Sequence, residues 1–161
     1  MFDLGEQEMV LRLLAALVLG GIVGFEREVR NRPAGMRTHA LAAEGAALFT
    51  MAALLVTVEA ERAGLGPADP GRIISTIVQG IGFLAAGVIF AQGARVSGLT
   101  TAAGLWVTAA VGVLCGGGFF FLAIASTIAT ALVLAGLKVV EQRFMGANSR
   151  FNTHASRDES E

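Results

Sequence analysis

Long apolar runs alternate with short polar connections along most of the chain. Five runs approach the roughly 20 residues that a helix needs to cross the hydrocarbon core of a bilayer. They cover roughly residues 9–25, 40–58, 73–91, 101–116 and 119–140. None shows the strict alternation of membrane strands, and a helix satisfies its own backbone hydrogen bonds in lipid. The pattern therefore predicts an all-α integral membrane protein, a bundle of about five transmembrane helices.

The ends of the apolar region are less regular. The fourth run is short and only glycines 116–118 separate it from the fifth, so one buried hairpin is an alternative to the two crossings that we favour. Acidic residues precede the first run, unlike a secretory signal, so we expect that run to be retained. We assign residues 1–145 to the transmembrane domain and expect 146–161 to be a disordered polar cytoplasmic tail, with no second folded domain after it.

Composition supports a lipid environment. Of the 161 residues, 54% are hydrophobic and 16% are charged, whereas soluble domains average about 25% charged residues. The formal net charge of -1 gives no reason to expect nucleic acid as a partner. A single cysteine, Cys115, excludes an intramolecular disulfide and a multi-cysteine metal site. We expect no cofactor.

The positions of arginine and lysine predict how the chain is inserted. Loops on the cytoplasmic side of a membrane carry the excess of these residues. One set of connections carries Arg27, Arg30, Arg32, Arg37, Arg95, Lys138, Arg143, Arg150 and Arg157, and the other carries Arg12, Arg62 and Arg72. The N-terminus is therefore expected outside the cell and the C-terminus in the cytoplasm.

Small residues recur every three or four positions in three of the predicted helices. Helices in lipid associate mainly through close packing of such residues. The faces are Ala16, Gly20 and Gly24 in the first helix, Ser75, Gln79, Gly82 and Ala86 in the third, and Gly104, Thr108, Gly112 and Gly116 in the fourth. We expect a tight bundle or an oligomer interface, with packing positions at Gly20, Gly24, Gly82, Gly87, Gly104 and Gly112.

Two acidic residues need an explanation beyond membrane insertion. Glu26 ends the first run, and we expect it to pair with Arg30 four residues later or with Arg37 across the loop. Glu44 interrupts the second run, where insertion of an acidic residue costs roughly 2.5–3.5 kcal/mol. It is either a functional carboxylate or a residue near the headgroups or hydrogen-bonded to a neighbouring helix.

Polar residues next to the third and fourth runs are typical of helix caps. Asp69 and Pro70 suit the start of the third helix, and Thr100 and Thr101 the start of the fourth. The glycine-rich stretch at 80–87 lies inside an apolar run, which does not favour a nucleotide loop. No nucleophile has a plausible base nearby, so we do not expect an enzyme.

Five short segments follow one another in an order typical of one known family. They are Gly24-x-Glu26-Arg27, Ala34-Gly35-x-Arg37-Thr38, Asp69-Pro70-x-Arg72, Gly80-Ile81-Gly82-Phe83-Leu84-x-Ala86-Gly87 and Gly98-Leu99-Thr100-Thr101-Ala102-Ala103-x-Leu105-Trp106. Taken together, they resemble the MgtC/SapB family, over about residues 11–137. The chain departs from the family pattern at three positions: Ala85 and Gly104 stand where the family usually has Gly and Ser, and Glu44 stands where an apolar residue is common.

The resemblance implies a bacterial inner-membrane protein linked to growth under magnesium limitation and to survival in host cells. In the best-known members the membrane domain is thought to regulate partners, including the F-type ATP synthase, rather than to pump magnesium. Those members also have a soluble C-terminal domain, which we do not expect here. The implied site residues are Glu26, Arg27, Arg37, Asp69, Arg72, Thr100 and Thr101.

Two functional hypotheses follow. The first is a regulatory protein that contacts a membrane partner through its helices. Further copies of the same chain are also possible partners, in a homo-oligomer. The second is a channel or transporter for a small ion such as Mg²⁺, in which Glu44 lies on the pathway with help from Gln79 and Glu26. We favour the first.

Overall fold

The computed structural model describes residues 5–66, 69–92 and 95–136. Within them lie five helices and one short antiparallel strand pair, which confirms the predicted all-α membrane bundle. The predicted tail at 146–161 lies outside the described residues. The elements are α1 (Glu6–Val29), α2 (Met36–Arg62), α3 (Pro70–Ala86), β1 (Phe90–Gln92), β2 (Arg95–Ser97), α4 (Leu99–Gly116) and α5 (Phe120–Gly136).

Helix length separates the five helices into two groups. The helices α1, α2 and α4 have 24, 27 and 18 residues and are long and apolar enough to cross a membrane. The other two, α3 and the described part of α5, are apolar but shorter. Large exposed side chains such as Leu14, Phe49 and Phe121 cover the outside of the bundle, where lipid chains are suitable neighbours.

The third helix ends earlier than its apolar run. The prediction that it extends to residue 91 is wrong, because α3 stops at Ala86 and the chain then turns into β1. The amides of Val88 and Ile89 bond to carbonyl oxygens only three residues back, and a positive φ at Gly98 brings the chain back against Val88. Hydropathy alone does not distinguish a short apolar strand from a helix end.

The pair α1 and α2 crosses in antiparallel fashion at two glycines of α1. A Cβ atom added to Gly20 would lie 2.7 Å from the Ala43 Cβ and 2.7 Å from the His39 carbonyl oxygen. A Cβ added to Gly24 would lie 2.6 Å from the Met36 Cα. Any side chain at these two positions would therefore push the helices apart.

On its other side, α2 packs parallel to α4 through a second pair of glycines. A Cβ on Gly112 would collide with the carbonyl group of Ala43, and one on Gly116 would lie 2.7 Å from the Ala47 carbonyl oxygen and 2.8 Å from the Thr50 Cβ. The small cluster enclosed by α1, α2, α4 and α5 is built mostly from alanine. Its buried members are Ala16, Ala43, Ala47, Val111, Cys115 and Ala123.

The other three predicted packing glycines have more room. A Cβ on Gly104 would lie 3.7 Å from the His39 Cε1, which is an ordinary contact distance. Gly82 has nothing within 4 Å of such an atom, and Gly87 would meet only the preceding turn of its own chain, at the Leu84 carbonyl oxygen. Gly82 and Gly87 therefore do not lie at a helix crossing between described residues.

Successive helices run in opposite directions, so the polar connections gather at two ends of the bundle. The turn between α1 and α2, the start of α4 and the described end of α5 share one end, where the Arg30 side chain reaches the Ala135 carbonyl oxygen. We call this the arginine-rich end. Its defining residues are Arg27, Arg30, Arg32 and Arg37.

Candidate functional site

The turn between α1 and α2 shapes the arginine-rich end. Asn31 and Ala34 adopt left-handed backbone conformations, with φ of 50° and 56°, which is uncommon for a residue that has a Cβ. The Glu28 carboxylate accepts a hydrogen bond from the Met36 amide at 2.8 Å. It satisfies one of the free amides at the start of α2, because Gly35 at the cap position has no side chain to do so.

Glu26 links two arginines. Its Oε2 accepts a hydrogen bond from the Arg27 Nε at 2.6 Å, and its Oε1 lies 2.7 Å from the Arg30 Nε. The Arg27 side chain is only 5% exposed, so its charge depends on this carboxylate. The predicted pair with Arg30 is confirmed. The alternative partner, Arg37, is exposed and makes no ion pair with another described residue.

A buried histidine connects α2 to α4. His39 is fully buried, and its Nδ1 lies 2.8 Å from the Thr108 hydroxyl oxygen. The same hydroxyl lies 2.9 Å from the Gly104 carbonyl oxygen, to which it donates its hydrogen. We infer that Nδ1 carries the proton and donates it to the hydroxyl oxygen; Nε2 has no hydrogen-bond partner in the described structure.

At the opposite end of the bundle, Arg12 joins α1 to the end of α4. Its Nη1 donates a hydrogen bond to the Gly116 carbonyl oxygen at 2.7 Å, and its Nη2 forms an ion pair with Glu8. The guanidinium thereby serves one of the free carbonyl groups at a helix C-terminus, where positive charge is favourable. Arg12 is 4% exposed. From the sequence, Arg12 is interpretable only as a charge that indicates orientation.

Comparison with known proteins decides the family. The family model for the MgtC family matches residues 13–143, which is most of the chain. The chain belongs to the MgtC family. Protein MgtC from Salmonella typhimurium strain LT2 is 50% identical over 119 residues, covering 74% of this chain and 48% of that protein. Protein MgtC from Brucella abortus strain 2308 is 47% identical over 130 residues, covering 81% and 51% respectively.

Only part of each MgtC relative is matched. The chain spans about half the length of the MgtC proteins named above. No solved structure matches the chain significantly.

The residues that carried the MgtC resemblance do not form one site. Asp69 and Arg72 lie at the start of α3, at the end of the bundle opposite Glu26 and Arg27. Asp69 accepts a hydrogen bond from the Gly71 amide at 2.9 Å, so its predicted capping role is confirmed. Both Asp69 and Arg72 are exposed.

The two threonines of the MgtC pattern lie in the first turn of α4 but do not cap it. The capping prediction for Thr100 and Thr101 is wrong, since the cap position is Gly98 and no side chain bonds there. Its φ of 90° and its contact with the Val88 carbonyl group require a residue without a Cβ. Thr101 is buried, and Thr100 is exposed.

Glu44 stands apart from these contacts. It is half-buried on α2 and makes no hydrogen bond or ion pair with any other described residue. Glu26, named with it as an ion ligand, is bound to Arg27 and Arg30, and Gln79 is exposed on α3. Across the described ranges, no three His, Cys, Asp or Glu side chains are grouped closely enough to hold a metal ion.

Two contacts escaped the sequence analysis because they join residues far apart in the chain. The His39–Thr108 and Arg12–Gly116 contacts span 69 and 104 residues. A local signal existed for Arg12, because an arginine inside an apolar run four residues after Glu8 is typical of a paired, functional charge. For His39, the local signal of burial was its position in the first turn of α2, near small residues.

Proposed function

We propose that this chain is a regulatory protein of the bacterial inner membrane that acts through helix contacts with a membrane partner. The observation that carries the proposal is the state of the buried polar groups. Arg27 is hydrogen-bonded to Glu26, His39 to Thr108, and Arg12 to the Gly116 carbonyl oxygen. Each of these buried residues has at least one polar partner inside the described bundle, which stabilises the fold, and we infer that the outer helix surfaces are the parts that meet a partner.

The insertion that we propose is multi-pass, with five crossings. A 17-residue helix such as α3 is about 26 Å long, close to the roughly 30 Å of a bilayer core. The arginine-rich end faces the cytoplasm in this proposal, since most of the short-loop arginines lie there. The N-terminus is then outside and the C-terminus inside.

The physiological role that we propose is growth under magnesium limitation, and membership of the MgtC family supports it. Family resemblance makes the F-type ATP synthase the first partner to test. Small residues on an outer helix face favour this mode of action, because they let a second helix approach closely. No cofactor or catalytic step is part of the proposal.

A deletion strain grown in limiting magnesium tests the role. Wild type should restore growth, and Glu44→Gln should restore it equally, because a regulator that uses its outer surface does not need a carboxylate at that position. Membrane levels of both proteins are measured by immunoblot as the control. Absence of a growth defect in the deletion strain at every magnesium concentration would overturn the proposed role.

One observation favours the alternative of ion transport, namely that Glu44 is a half-buried carboxylate without a described partner inside a candidate span. Such residues often mark ion pathways. Purified protein in liposomes should then show magnesium flux that Glu44→Gln removes. Flux that is absent, or unchanged by the substitution, rejects this alternative.

A further inference from the structure

The helix α3 lies at the edge of the bundle. It packs against α2 and α4. Ile77 and Ile81 face these neighbours, and an apolar groove of about 440 Å³ remains between α3 and α2. On the opposite side of α3, four exposed residues follow one another at spacings of four, three and four. We call them the α3 outer face, and they are Ser75, Gln79, Gly82 and Ala86.

The α3 outer face differs in chemistry from the other outer surfaces. Exposed positions on α1 and α5 carry large apolar side chains, including Val18, Phe121 and Leu132. Such side chains suit contact with lipid chains. The α3 outer face has two polar residues, one glycine and one alanine, so it offers lipid little apolar surface and lets another backbone come close.

Gln79 is the group on this face that lacks a partner. It is the tenth of the 17 residues of α3, which places it about 13 Å from the start of the helix and near the middle of a crossing. Its carboxamide makes no hydrogen bond with the described residues. Ser75, by contrast, bonds to the Arg72 carbonyl oxygen. An amide without hydrogen bonds in hydrocarbon is costly, so we expect Gln79 to have a partner beyond the described residues.

We propose that the α3 outer face is the interface of a two-fold homodimer, in which Gln79 of one copy pairs with Gln79 of the second copy. All copies are inserted in the same direction, so the two α3 helices run parallel and residue 79 lies at the same depth in both. A carboxamide both donates and accepts hydrogen bonds, and it therefore complements its own copy. The glycine and the alanine allow the two helices to approach.

Charge at the end of the same helix fits a second copy. Asp69 and Arg72 are exposed near the start of α3, and neither forms an ion pair with another described residue. In a two-fold pair, each contact between residues i and j occurs twice, with the copies exchanged. Asp69 of one copy and Arg72 of the other are therefore able to pair on both sides of the axis. This pattern is complementary to itself.

Cysteine cross-linking in native membranes tests the interface. Cys115 is the only cysteine, so Cys115→Ala gives a background into which Ser75→Cys, Gly82→Cys or Ala86→Cys is introduced. Ile128→Cys, on the exposed side of α5, is the matched control. We expect a cross-linked species of twice the chain mass from the three α3 variants and none from the control. Equal cross-linking at all four positions, or none, contradicts the dimer, and so does a cross-link only to a protein of different mass.

The role of Gln79 is tested by measuring the dimer dissociation constant in liposomes by energy transfer between labelled copies. Gln79→Leu should raise this constant about tenfold, the size expected for one or two interhelical hydrogen bonds, whereas Gln79→Asn keeps the carboxamide and should raise it less. Ile128→Leu serves as the control. An unchanged constant for Gln79→Leu would overturn the pairing. The dimer does not depend on the proposed magnesium role, because neither measurement involves growth.

Discussion

The helices α2 and α4 pack closely on the side of α1 and loosely on the side of α3. Toward α1, and between α2 and α4 themselves, glycines bring helix backbones into direct contact at Gly20, Gly24, Gly112 and Gly116. Toward α3, the same helices leave an apolar groove, and a Cβ added to the α3 glycines at 80 and 82 would meet nothing within 4 Å. A glycine in a membrane helix therefore does not indicate one kind of packing. Here it marks both a tight internal crossing and an open outer face.

The largest effect should come from filling a tight crossing. Gly112→Ala places a Cβ against the Ala43 carbonyl group, and because backbone cannot yield as a side chain can, we expect the free energy of unfolding to fall by about 3 kcal/mol. Gly80→Ala on α3 meets no neighbour and should be neutral or slightly stabilising. Unfolding in mixed micelles measures both. Equal effects of the two substitutions would remove the distinction between the two regions.

The next effect concerns the charges at the arginine-rich end. Glu26→Gln leaves the buried Arg27 without its carboxylate and should cost about 2 kcal/mol of unfolding free energy. Glu59→Gln removes an exposed carboxylate 3.8 Å from Arg62 and should cost less than about 0.5 kcal/mol. The same unfolding measurement compares them. A Glu26→Gln protein as stable as wild type would show that Arg27 does not depend on this carboxylate.

A smaller effect is expected at the contact between α2 and α4. Thr108→Val preserves shape but leaves the His39 Nδ1–H unbonded in the core, at a cost of about 1–2 kcal/mol. Thr57→Val is the control, because the Thr57 hydroxyl bonds only within its own helix, to the Ala53 carbonyl oxygen. Nitrogen-15 spectra of labelled histidine should also report a changed ring environment in Thr108→Val alone. Unchanged spectra would contradict the proposed tautomer.

The smallest expected effect is an increase in stability. Ala34 adopts a φ of 56° in the turn between α1 and α2, and glycine occupies that conformation without the strain of a Cβ. Ala34→Gly should therefore raise the unfolding free energy by up to about 1 kcal/mol. Ala63→Gly, at a position with a φ of -78°, provides the opposite case and should not stabilise. A destabilised Ala34→Gly protein would mean that the flexibility of the unfolded chain outweighs the strain.

Local sequence was sufficient for most of the helices and for contacts between near neighbours. Periodic small residues predicted the faces of α1 and α4 that are buried, and spacing predicted the Glu26–Arg30 pair and the Asp69 cap. These features depend on residues within one turn or one helix. Physical rules for helices act at that range, so the sequence is enough to apply them.

The sequence did not predict in the same way which helices lie next to one another. The third face has a spacing of four, three and four residues, similar to the spacing of four in the other two, but it lies on the outside, because the opposite side of α3 packs on α2 and α4. The end of α3 at Ala86 depends on the return of the chain at Gly98, and the roles of Arg12 and His39 depend on α4. Each requires knowledge of which helices are neighbours.

We propose that the interior of this bundle maintains the fold while its outer helix surface carries the function. Growth of the deletion strain in limiting magnesium, with Glu44→Gln and Gly82→Leu compared at equal membrane levels, tests it most directly. We expect that Glu44→Gln restores growth and Gly82→Leu does not, because a Cβ at position 82 meets nothing within 4 Å in a single chain, whereas a leucine there should block the approach of another helix. Growth restored by Gly82→Leu and lost with Glu44→Gln would contradict a function carried by the outer surface and would favour an ion pathway.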